Sequence, residues 1–235
     1  MKNRLYATLE KFAKEGLSKE ERQSIFESDN KENLQSNVSN VTNRNFPQIF
    51  EDIAINIVNG YFLVSDNSGK NSFKVYPTCV EIYYHEEAED GIKDPIVYHR
   101  NTKNNPKDIF KLGILHNHVS GIDITFEHIV NGQFVRASAL IREFRAEGIE
   151  KFKDGDDRST NIYEALFSQF NIFDGFSIEW HDEPEIKNSV KADVRKNVAK
   201  YMTDNKTKMP AQEGLLNTKN KKYVQCQRLW QFKIS

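Results

Sequence analysis

Cysteine is nearly absent from this chain: two residues, Cys79 and Cys226, among 235. Two thiols can build neither a disulfide scaffold nor a cysteine-based zinc site, and their scarcity suits a reducing cytoplasm. Long apolar runs are also missing. No stretch approaches the roughly eighteen residues that a membrane span requires. The opening Met-Lys-Asn-Arg-Leu-Tyr carries charge where a secretory signal would be apolar. Internal repeats are absent too. With 38% hydrophobic and 29% charged residues, a disordered or fibrous chain is excluded and a globular one is expected. The expectation is a cytoplasmic protein with no membrane partner and enough chain for one good-sized core.

The net charge of −1 hides an asymmetry. From Ile186 to Ser235 there are twelve Lys and Arg against three Asp and Glu, a local charge of +9, so the first 185 residues carry −10. Such a basic segment suits a polyanion such as DNA, although a solvated lysine-rich surface has the same composition.

Periodicity divides the chain into three parts: an N-terminal helical appendage (1–32), a polar linker (33–46) and an α+β domain (47–235). Leu5, Leu9 and Phe12 share a helical face, and Ser18 with Glu21 has the spacing of a capping box. Pro47 to Val58 reads as a core helix carrying Phe50, Ile53, Ala54 and Ile57 on one stripe. Beyond Gly60 the period drops to two. A hairpin is expected from Tyr61 to Tyr84, strands at Gly113 to Val119 and Ile122 to Glu127, and the clearest strand at Phe134 to Phe144. Asn161 to Phe170 reads as a helix, Phe176 to Trp180 as a strand, Val190 to Met202 as a basic helix and Gln227 to Ile234 as a last strand. Strands clustered between helices indicate a single α+β domain around a curved, largely antiparallel sheet.

Three constellations offer chemistry. His116 and His118 point to one side of a strand, where two imidazoles can share a metal if a third ligand such as His99 or Asp123 joins them. Glu81, Tyr83 and His85 alternate on one strand face. A carboxylate beside aromatic rings is partly desolvated, which raises its pKa and suits a general base, while Tyr83 offers a stacking surface. Arg142, on an otherwise apolar strand, is either a snorkelling surface residue or an anchor for a carboxylate or phosphate.

Taken in order, these stretches resemble the alkyladenine (3-methyladenine) DNA glycosylase family. The matching stretches are Glu81-Ile82-Tyr83, Tyr98-His99-Arg100, Gly113-Ile114-Leu115-His116 and Leu140-Ile141-Arg142, followed by Asp157 to Leu166 and Gln227 to Ile234. The resemblance implies an alkyladenine glycosylase-like fold over about residues 47 to 235 and hydrolysis of the N-glycosidic bond of a flipped-out damaged purine, without cofactor or metal. It makes Glu81 the general base and Arg142 its positioning partner, and it sandwiches the base between Tyr83 and His99. It also brings His116, His118 and Ser120 to the substrate, with DNA as partner of a monomer. The family's duplex wedge, a tyrosine, falls at Ser120, and the stretches Glu86 to Asp94 and Asp123 to Glu127 bring negative charge toward the DNA face. Two other readings stay open: a noncatalytic ligand- or protein-binding module on the same fold, and a metal-dependent hydrolase using His116 and His118.

Overall fold

Helix α1 (Arg4–Glu15) starts where the Asn3 side chain accepts a hydrogen bond from the Tyr6 amide at 2.7 Å, and it stops at Gly16, whose φ of 66° favours glycine. Helix α2 (Lys19–Asp29) opens with the expected capping box. Ser18 Oγ accepts from the Glu21 amide at 3.1 Å and Glu21 Oε2 accepts from the Ser18 amide at 2.9 Å. Pro47 caps α3 (Gln48–Val58), where its missing N–H costs nothing. The computed structural model describes residues 3–29, 46–94, 97, 110–118, 120–154, 159–193, 195 and 228–235, with His118 described by its backbone alone.

The described strands are β1 (Gly60–Asp66), β2 (Ser72–Glu86), β3 (Leu115–His118), β4 (Gly121–Thr125), β5 (His128–Val130), β6 (Gln133–Glu147), β7 (Phe176–Asp182), β8 (Val190–Asp193) and β9 (Gln231–Ile234). All their pairings are antiparallel, in one curled sheet that forms a half-barrel with flanking helices, an α+β architecture. Its main path runs β3-β4-β6-β2-β1-β7, with β5 beside β6 and the β8–β9 pair beside β2. The long strands β2 and β6 form the spine. One edge of β2 follows β6 throughout, while its other edge serves β1 from Ser72 to Val75 and then β9 from Cys79 to Glu81. The change of partner falls at Pro77, which has no N–H to donate, and the β2–β6 register shifts there, between Pro77 and Val80.

One face of the sheet makes the core. Val80, Ile82, Tyr84, Ala139, Ile141 and Phe232 are buried against α3 and α1. Phe12 of α1 sits 6.2 Å from Phe50, 5.9 Å from Tyr84 and 5.7 Å from Phe126, ring to ring. The N-terminal helices, expected as an appendage, thus share the cluster that the main sheet uses. Buried Asp29 of α2 receives both Arg228 Nε (3.1 Å) and Nη2 (2.7 Å), and Arg22 pairs with Glu86.

The expected basic helix over Val190 to Met202 is corrected in its first part. Val190–Asp193 is strand β8, its exposure alternating along the chain as it pairs with β9; residues 194 and 196–202 lie outside the described residues. The helix expected from Asn161 to Phe170 is confined to α4 (Ile162–Phe167), entered through a 3-10 turn. Among the described residues no helix is long and apolar enough to cross a membrane.

Candidate functional site

Residues paired across adjacent antiparallel strands project from the same face of a sheet. Reading the registers from β8 to β3 gives one continuous row: Asp193, Gln231, Glu81, Leu140, Asp123, His116. The next row holds Tyr83, Ser138 and Thr125. This face lies opposite the apolar core; Tyr83 and Leu140 are buried yet stand outside the core cluster. It carries mostly polar groups, and Glu81 and Asp123 are both 0% exposed.

Glu81 is the centre of the row. Arg142 Nε lies 3.0 Å from its Oε2, although neither carboxylate oxygen completes a well-aligned hydrogen bond among the described residues. Burial pushes the Glu81 carboxyl above its ordinary value of 4.5, opposed by Arg142, by Arg195 and by the Tyr83 hydroxyl. The local backbone explains how Arg142 arrives there. The β2–β6 register pairs Cys79 with Glu143 and Val80 with Ile141, so Arg142 occupies a bulge, a device that re-aims a side chain. Beside it, Glu143 pairs with Lys233 of β9.

Tyr83 lies one row further along. Burial first, and the Glu81 charge second, raise its phenol well above the ordinary 10, so the hydroxyl remains a donor at neutral pH. The Arg195 guanidinium sits 5.5 Å from the Tyr83 ring centre and 5.2 Å from that of Trp230. Arg195 is itself fully buried. It donates to Asp94 through Nη1 at 2.7 Å and Nη2 at 3.1 Å, and to the Ile82 carbonyl at 3.3 Å. His85 Nδ1 accepts from the Asp94 amide at 3.1 Å, and burial lowers the His85 pKa below 6.5. His85 is therefore a neutral prop for the Asp94 loop.

At the other end of the row, Ser138 Oγ donates to Asp123 Oδ2 at 3.3 Å and His116 Nδ1 lies 3.8 Å from the same oxygen. The His116 ring packs 4.4 Å from that of Phe110. Ser120 is half-buried in the turn between β3 and β4. Gly121 follows with φ +135°, and a Cβ there would come within 3.0 Å of the Ser159 carbonyl, so glycine is required on both counts.

Of the residues singled out in the sequence, Glu81, Tyr83, Arg142 and His116 converge on this face. Ser120 stands at its rim, His99 lies outside the described residues, and of His118 only the β3 backbone is described. The acidic stretches turn most of their charge inward and leave Glu89 and Asp90 exposed. Asp123 and Glu127 are buried, and Glu127 is approached by Arg136 and accepts from the Phe110 amide. Glu86 accepts from Tyr84 and the Ile92 amide, Glu87 pairs with Arg136, and Asp94 is held by Arg195. The basic segment is likewise partly spent inside: Arg195 and Arg228 are buried in ion pairs. Among the described residues no three of His, Cys, Asp and Glu converge in a way that could hold a metal ion. Sequence patterning missed Asp94 and Arg195, whose only signal is a contact across 101 residues.

The arrangement can take a proton onto a buried carboxyl beside a fixed guanidinium, next to an aromatic platform. Comparison with protein-family models, with curated proteins and with solved structures yielded no match to this chain.

Proposed function

We propose that this chain hydrolyses the N-glycosidic bond of a damaged purine nucleotide turned out of DNA, with Glu81 as general base. The observation that carries the reading is a fully buried glutamate, its proton affinity raised by burial, held 3.0 Å from an arginine on the polar face of the sheet. A base with a pKa lifted toward neutrality is matched to taking a proton from water. The water oxygen attacks the anomeric carbon as the carbon–nitrogen bond breaks, and Arg142 holds the carboxylate on line. The positive charge that develops on the sugar faces an anionic side chain shielded from bulk solvent, where such stabilisation is largest. Tyr83 supplies the face on which the extruded base stacks. A damaged, poorly paired base costs the fewest kcal/mol to extrude, which is a source of selectivity. In this reading the protein is a cytoplasmic monomer, and DNA is gripped by the basic segment after Ile186.

The test is single-turnover base release from single-stranded and duplex oligonucleotides carrying hypoxanthine, ethenoadenine or 3-methyladenine. Release by the wild type that vanishes in Glu81→Gln supports the reading. Ser120, too short to wedge a duplex, favours a second reading, a binding module on the same fold; no release from any substrate by a folded protein would select it.

A further inference from the structure

Strand β9 runs beside β2 only from Cys79 to Glu81, and its last bond there is the Ile82 amide donating to the Trp230 carbonyl at 2.8 Å. Among the described residues an ion pair takes the strand's place beyond that point. Arg195 Nη1 donates to the Ile82 carbonyl at 3.3 Å, and Asp94 Oδ2 accepts from the Tyr84 amide at 3.3 Å. The pair is tied together at 2.7 and 3.1 Å, and both side chains are buried. Neutral groups of a longer β9 would satisfy the same two backbone atoms. A buried ion pair returns little net stability, so what Arg195 brings in addition is a flat, charged surface at a fixed place.

That place is the ring of Tyr83. The guanidinium lies over it, 5.5 Å from its centre, and rests in turn on Trp230 at 5.2 Å. Trp230 is fully buried and packs 5.1 Å from Phe50 of α3, so the series Phe50, Trp230, Arg195, Tyr83 leads from the core to the polar face. On the other side of Tyr83 its cross-strand neighbour is Ser138, a small residue, so the space for a planar ring lies on the face away from the guanidinium. The same charge acts on Glu81. The charged groups that act there are Arg142 of β6, Arg195 and Asp94, while the cross-strand neighbours Leu140 and Gln231 carry no charge.

We propose that Arg195 is a positioning residue of the site, fixing the Tyr83 ring as the surface on which the extruded base stacks and lending its positive charge to the anionic Glu81. The inference rests on the glycosidic reading of Glu81. A ring already held on one face loses little freedom when a base covers the other, so the stacking energy is not spent on ordering it. Arg195 outweighs Asp94 at Glu81, so removing the pair makes Glu81 keep its proton to higher pH.

Arg195→Gln alone would leave Asp94 buried without its counter-ion, so the variant to test is Asp94→Leu with Arg195→Met, once its melting transition shows that it folds. Binding is measured in a Glu81→Gln background, where the lesion persists, on oligonucleotides carrying ethenoadenine or an abasic analogue at the same position. The double replacement is expected to weaken ethenoadenine binding about tenfold, within the worth of one stacked base, and to leave abasic binding unchanged. With Glu81 in place, it is expected to move the acid limb of the kcat/KM profile for ethenoadenine release to higher pH. Arg195→Lys keeps the charge without the flat fork; it should weaken ethenoadenine binding and leave the acid limb where it is. Equal weakening of both oligonucleotides, no weakening of either, or an acid limb that the double replacement does not move overturns the inference. The assignment of Glu81 then still stands if the wild type releases base and Glu81→Gln does not. A folded wild type that releases no base removes the glycosidic reading and this inference together.

Discussion

On one face of the sheet Val80, Ile82, Tyr84 and Ile141 meet the helices; on the other Glu81, Asp123, Tyr83 and Arg195 are buried as deeply among one another. The two faces spend burial differently. Each apolar side chain removed from water contributes about 1.5–3 kcal/mol. A buried ion pair returns little net stability, because two ions lose their hydration before they attract. The apolar face is what holds the fold together, and the charged face is a load on it. Arg195, with no strand pairing to the row, nevertheless acts on both Glu81 and Tyr83, and its partner Asp94 acts on Glu81.

The largest effect should come from the apolar face. Phe50→Ala removes a fully buried ring that packs 5.1 Å from Trp230 and 5.6 Å from Tyr84, and denaturant unfolding should show a loss of about 3–5 kcal/mol. Next, Asp94→Asn leaves a buried guanidinium without its counter-ion and should cost about 3 kcal/mol by the same measurement. The double replacement Asp94→Leu with Arg195→Met should recover most of that loss while disturbing the site, which no pair of truncations on the apolar face can do.

Titration sharpens the contrast, since each face holds a buried group of opposite sign. Glu81 binds its proton more tightly when folded, so its stabilising contribution is complete below the ordinary 4.5 and is lost as pH rises through the folded value. Glu81→Gln should therefore gain in melting temperature over wild type as pH climbs from 4.5 to the folded value and hold that lead above it, while losing activity. His128, packed 5.2 Å from Phe12, has its pKa lowered by burial. Its contribution is complete above 6.5 and lost as pH falls through the folded value, so His128→Leu should flatten the acid limb of the melting profile. The smallest effect lies at the helical periphery: Ser18→Ala removes one side of the capping box and should cost about 1 kcal/mol.

Much of this was legible in the chain where local chemistry decides. The capping box, the hairpin after Gly60 and the alternation around Val135 to Ile141 all rest on neighbours in sequence. The convergence of Glu81, Tyr83 and Arg142 was partly legible from alternation and order. What escaped depends on distant pairing. Val190 to Asp193 has too few residues to declare a period of two against the lysines and arginine that suggest a helix, and only β9 makes it a strand. Arg195 is one cation in a basic run and Asp94 one anion in an acidic run, and neither spacing foretells that they meet. The bulge at Arg142 arises from a register shift between two strands, a property that neither strand carries alone.

Arg228 grips Asp29 across 199 residues of chain, and Trp230 and Phe232 complete the same side of the sheet. During synthesis, at 5–20 residues per second, on the order of 10 to 40 s separate the emergence of these two partners from the ribosome. Until then α2 carries a carboxylate whose counter-ion does not yet exist, and the inner side of β2 lacks the strand that covers its edge. Closing so long a loop is also slow in its own right. From the end of β6 to the start of β9 the nascent chain holds an unfinished sheet for about 4 to 17 s, and in this interval, before β9 arrives, a chaperone should make most difference to its yield.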